Sequence, residues 1–159
     1  MAFGFWTTPS VGAPGVVYDT AIVPLGTKAT SNEGYEYIFL QGVASTILGS
    51  WVTFDEAFLS TGLDGNGTAT LIGPVAVATA AVVANKYGWY GRVGAFTAGS
   101  GTVADNAPVF ATDTVFICDD ATVDNYQVLG AIWRSANTSA LATVQINNPW
   151  VGLLVDAVA

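Results

Sequence analysis

Histidine is absent from all 159 residues of the chain, which removes much of the usual repertoire of side-chain chemistry. It is the commonest general base near neutral pH, the usual activator of serine and cysteine nucleophiles, and the commonest zinc ligand. A single cysteine, Cys118, follows the apolar run Val115-Phe116-Ile117. One thiol cannot close a disulfide or a thiolate zinc site within a chain, and this setting predicts a buried core residue. The lack of an internal disulfide is compatible with folding in a reducing cytoplasm.

Carboxylates are what is left for acid–base or metal chemistry, and their spacing suits neither. Asp55 and Glu56 are adjacent, so on a strand they point to opposite faces and make a poor acid/base pair. Asp119, Asp120 and Asp124 follow a strand-like segment. They read as a turn whose carboxylates bond nearby backbone, with a weak cation site as the alternative. Asp64-Gly65-Asn66-Gly67 begins like a calcium loop. That pattern requires Gly at its sixth position and Glu at its twelfth, where this chain has Ala69 and Val75. A hairpin turn is the better reading. No glycine-rich phosphate loop of the dinucleotide or Walker type is present. The expectation is therefore a protein that is not an enzyme, with no catalytic residue, no metal ligand and no cofactor.

Aromatic residues are the remaining candidates. Tyr87, Trp89 and Tyr90 lie together with Arg92 just beyond. Strand alternation puts Tyr87 and Trp89 on one face, Tyr90 and Arg92 on the other. Core packing on one face and an interface on the other is the plain expectation; a sugar-binding platform is the alternative.

The elements that must position these groups are strands. No window of the chain carries a helical apolar stripe, whereas β-branched and aromatic residues recur between Gly, Asn, Asp and Pro. Strands are expected at 16–23, 35–40, 50–55, 68–72, 75–84, 87–97, 109–111, 114–118, 126–134 and 140–147, with Gly73-Pro74 as a bulge or corner. Residues 1–15 read as an extended N-terminal arm bearing Phe3, Phe5 and Trp6. Residues 16–147 form the β domain, and 148–159 an apolar C-terminal tail that is either a last strand or a docking arm. The fold expected is all-β, a small barrel or sandwich of short antiparallel strands with extended N- and C-terminal arms.

Composition narrows the function classes. Hydrophobic residues make up 52% of the chain and charged residues only 10%, which favours burial of surface in an oligomer or assembly. Four basic against twelve acidic residues give a net charge of −8. Lys28, Lys86, Arg92 and Arg134 cannot form the basic stripe that nucleic acid requires. No basic segment followed by an apolar run opens the sequence, so no signal peptide is expected. The longest apolar stretch, residues 71–84, is interrupted by Gly73-Pro74 and is shorter than the roughly 20 residues of a membrane helix. No membrane partner is expected.

Two stretches carry a resemblance. One reads GVASTILGSWVTFDEAF, followed by TLIGPVAVATAAVVANKYGWYGRVG. The other reads GAIWRSANTSALATVQINNPWV. Their Trp-Val strand, Gly-Pro-Val-Ala-Val-Ala strand, Tyr-Gly-Trp hairpin strand and Asn-Pro-aromatic tail resemble the small capsid decoration, or cement, proteins of tailed bacteriophages. The resemblance implies a β-rich structural protein, usually a homotrimer, that is made in the host cytoplasm and sits on the outer capsid surface. There it would clamp the major capsid protein and stabilise the assembled shell. Phe3, Phe5 and Trp6 are the candidates for a capsid-binding arm; Trp150, Leu153 and Leu154 are the candidates for the subunit interface. The competing expectation is a carbohydrate-binding β-sandwich of a phage fibre or adhesin, with Trp89 as its platform.

Overall fold

A computed structural model describes residues 11–66, 72–121 and 126–153. Among them there is no helix. The chain is all-β, as expected, and its strands form one antiparallel sheet that is not closed into a barrel, a sandwich-like arrangement. The strands are β1 (Val17–Tyr18), β2 (Lys28–Thr30), β3 (Glu36–Gln41), β4 (Trp51–Phe54), β5 (Ser60–Gly62), β6 (Gly73–Ala78), β7 (Tyr87–Gly99), β8 (Pro108–Ala111), β9 (Cys118–Asp119), β10 (Tyr126–Trp133) and β11 (Leu141–Leu153). The order across the sheet is β2-β3-β7-β6-β11-β10-β8-β9, with β1 beside β7 and the β4–β5 hairpin beside β6. The edges are blunted by shortness: β2 spans three residues and carries Lys28, and β9 spans two.

The middle of the sheet is buried on both faces, which is why its strands read as apolar runs. In β3, Ile38 and Leu40 face one core while Tyr37 and Phe39 face another. The same alternation splits β4 between Trp51 and Val52, and β6 between Val77 and Ala76. The largest core contains Trp51 and Trp133, whose rings meet edge-to-face at 6.0 Å and 80°. Such a pair contributes about 1 kcal/mol beyond its buried area. Each indole N–H also finds an acceptor, Gly99 O for Trp51 and Asp119 O for Trp133. Cys118 lies in this core, fully buried as its sequence context predicts.

Strands β6, β7 and β11 each pair with the other two. The first part of β7 pairs with β6 (Val77 opposite Gly91), and its second part with β11 (Asn147 opposite Val93). The last part of β11 returns to β6, with Trp150 opposite Pro74. The three strands therefore splay around a gap, and the Arg92 side chain occupies it. Its Nη1 donates to the carbonyls of Val75 and Pro149, and its Nη2 to Asn148 Oδ1.

A bulge beside this gap changes which side chains face inward. Before it, Ala142, Val144 and Ile146 are buried; after it, Pro149 and Val151 are. The β10 partner shifts at the same place, between Leu129 and Ala131. Gly130 allows the bend, with φ of +74° and the Asn147 carbonyl 2.6 Å from where a Cβ would stand. An inserted residue flips every later side chain, so the bulge keeps apolar residues on the core side of both halves.

Several expected strands have different bounds. The run at 16–23 is a strand only at Val17–Tyr18, because Asp19 turns outward to Lys86 and Val16, Val17 and Ile22 are exposed. The run at 75–84 stops at Ala78, where the chain turns at 79–80. Gly73-Pro74 forms the first two residues of β6. Residues 148–153 continue β11. The expected strand at 68–72 falls almost wholly outside the described residues, as do Phe3, Phe5, Trp6 and Leu154.

Candidate functional site

The carboxylates that the sequence offers for chemistry hold turns together, as their spacing predicts for Asp64 and Asp119. Asp55 Oδ1 accepts from the amides of Ala57 and Leu59, Asp64 Oδ1 from that of Asn66, and Asp119 Oδ1 from those of Asp120 and Ala121. Asp124 lies outside the described residues. Burial pushes the Cys118 thiol well above its ordinary range, with the nearby Asp119 carboxylate acting in the same direction. A thiol held neutral and enclosed is a poor nucleophile. Trp89 is also enclosed, with its indole N–H donating to the Val11 carbonyl at 2.9 Å. It presents no platform to a sugar. Tyr90, on the other face of β7, is equally buried, so neither face of this segment is an exposed interface.

One stretch of exposed apolar surface, separate from the exposed pair Ile47 and Leu48, lies on the outer face of β6, β11 and β10. Trp150 is the register partner of both Leu129 and Pro74, so the three side chains form a row across three strands. Ile72 precedes Pro74 by two positions, at the mouth of β6. Trp150 is 48% exposed, Leu129 52% and Ile72 60%. Their neighbours Val128 and Val151, pointing the other way, are fully buried. The sheet is thus apolar on both faces here but covered on one only.

The row borders a cleft of about 1180 Å³. Its apolar lining includes Phe54, Phe58, Ile72, Val115, Phe116 and Trp150, and its acidic residues are Asp55, Glu56 and Asp64. The walls come from turns with unusual backbone. Ser45, Phe58 and Phe116 all line the cleft and have φ of 67°, 61° and 71°. Left-handed backbone at a non-glycine residue costs about 1–2 kcal/mol. Neighbouring hydrogen bonds hold it in place: Phe58 N donates to Asp55 O, and Phe116 N to Leu63 O. The Phe54 and Phe58 rings stack at 6.3 Å, and the Arg92 guanidinium lies 5.3 Å from the centre of the Phe54 ring. The floor is therefore tied through Arg92 to the three-strand junction.

Sequence reasoning singled out Trp150 for a subunit interface; its side chain lies exposed at the centre of this row. It missed Leu129 and Ile72. One signal was present: Val128-Leu129 is an apolar pair at adjacent strand positions, so one member must face outward. The Leu153 backbone ends β11, and Leu154 lies outside the described residues. No protein-family model matches the chain, and neither the curated proteins nor the solved structures contain a match to it.

Proposed function

We propose that this chain is a structural protein of assembly that works by docking its outer face rather than by catalysis. The observation that carries the proposal is the row Ile72–Trp150–Leu129, solvent-exposed on a sheet whose other face is core. Contiguous apolar surface of this kind marks an interaction site. More specifically, we read the chain as a capsid decoration protein of a tailed phage, bound to the major capsid protein on the outside of the head.

The sequence resemblance supports that reading, and so does the charge. A net charge of −8 suits the exterior of a DNA-filled shell better than its interior. A ligand that binds only the assembled shell stabilises it by mass action, and presentation as a homotrimer adds avidity. The first ten residues of the proposed arm at 1–15, with Phe3, Phe5 and Trp6, remain the proposed capsid contact. Deleting them and measuring occupancy on heads tests it: reduced occupancy supports an arm, and unchanged occupancy removes it. The carbohydrate-binding alternative loses its platform because Trp89 is enclosed.

A further inference from the structure

We propose that the cleft beside Trp150 takes a protein segment carrying a large apolar side chain flanked by lysine or arginine. The inference rests on the assembly reading and names the chemistry of the partner at its docking face.

The floor and the rim of the cleft make different demands. Phe54, Phe58, Val115, Phe116, Ile72 and Trp150 offer an apolar receptacle. Asp55, Glu56 and Asp64 ring it with carboxylates, and no lysine or arginine is among the described residues that line it. Arg92, against the Phe54 ring, supplies one positive charge beside three carboxylates, so the rim stays net acidic. Complementary potential at a docking face speeds association and rejects partners of like charge. An acidic rim around an apolar floor therefore selects an apolar side chain with cationic neighbours.

A second copy of this chain fits poorly. It carries a net charge of −8. Of its four basic residues, Lys86 is paired with Asp19, Arg92 fills the strand junction, and Arg134 is held by Gln145 and Asn106. Only Lys28, on the edge strand β2, is left to offer. The aromatic walls are also packed within the chain, the Phe58 ring over Gly26 and stacked on Phe54, and the Phe116 ring over Gly62. A preformed receptacle spares the cost of ordering on binding.

The test uses the full chain, labelled with ¹⁵N, and two blocked tetrapeptides, Lys-Leu-Phe-Lys and Glu-Leu-Phe-Glu. The expected result is a saturable shift of the Trp150 indole N–H and the Ile72 and Val115 amides with the lysine peptide alone. Glu56→Lys, at an exposed position, should weaken binding several-fold, and Trp150→Ala about tenfold. Glu33→Gln, away from the cleft, should leave it unchanged. Equal binding of the glutamate peptide overturns the proposal, as does no shift with either peptide at millimolar concentration. Dissociation of a stable oligomer by Trp150→Ala also overturns it, by making a second copy the occupant. Peptide binding without binding to heads keeps the cleft chemistry and removes the capsid reading. Head binding untouched by both substitutions does the reverse.

Discussion

Arg92 donates from Nη1 to the main-chain carbonyl of Val75, across the gap where β7 leaves β6 for β11. Through the same nitrogen it reaches the Pro149 carbonyl on the third strand. One guanidinium thus bonds carbonyls on two strands, and stands against the Phe54 ring of the cleft floor. Burial lowers the Arg92 pKa, and the Glu36 carboxylate opposes that shift.

Arg92→Ala should lower stability by about 2–4 kcal/mol, because two carbonyl acceptors lose a charged donor. Arg92→Lys should recover only part of it, since an ammonium lacks the planar fork that spans both strands. Urea unfolding measures both. A loss below about 1 kcal/mol for the alanine variant would show that the junction closes without the arginine.

Gly130→Ala should cost at least about 2 kcal/mol, combining a left-handed backbone with the contact to the Asn147 carbonyl. Gly152→Ala is the matched control on the facing strand, where an added methyl meets nothing within 4 Å. Its change should stay within about 0.5 kcal/mol. Equal effects in thermal unfolding would contradict the role given to the bulge.

Alkaline pH should destabilise the fold through two tyrosines. Burial pushes the phenols of Tyr90 and Tyr37 up to about 12, with Tyr35 and Glu33 adding to the effect at Tyr37. In the unfolded chain they ionise near the ordinary value of about 10. The unfolded state therefore loses these protons first. The stabilisation is full below about pH 10 and is lost as pH rises to about 12, at about 1.4 kcal/mol per pH unit for each group. Tyr90→Phe should halve that slope. At neutral pH it should be nearly silent, because the buried Tyr90 hydroxyl makes no hydrogen bond of normal length. Neighbouring Ser60 and Thr46 donate instead to Gln41 and Val43. Denaturant midpoints measured from pH 9 to pH 12 decide the matter.

Much of the strand pattern is legible in the sequence, because apolar runs such as Tyr37-Ile38-Phe39-Leu40 have one structural reading in this context. The run at 16–23 reads as a longer strand than it forms because β propensity says nothing about whether a partner lies alongside; of this run, only Val17 and Tyr18 pair with β7. The candidate site was half legible. Trp150 stood out as an aromatic in an apolar tail. That Leu129 and Ile72 join it on an outer face depends on the bulge at Gly130 and on which strands meet there. Long-range pairing decides both, and no local pattern carries it. Strand alternation could only place Arg92 on one face with Tyr90, since the gap it fills exists only once three distant segments have come together.

The central claim is that the exposed row around Trp150 is a docking surface rather than part of the core. Its most direct test, through the proposed capsid role, is co-sedimentation of the chain and its Trp150→Ala variant with expanded heads of a tailed phage, with unfolding measured alongside. The account predicts saturable binding that drops at least about tenfold in the variant, with stability changed by less than about 1 kcal/mol. Binding unaffected by the substitution, or a variant that fails to fold, would contradict it.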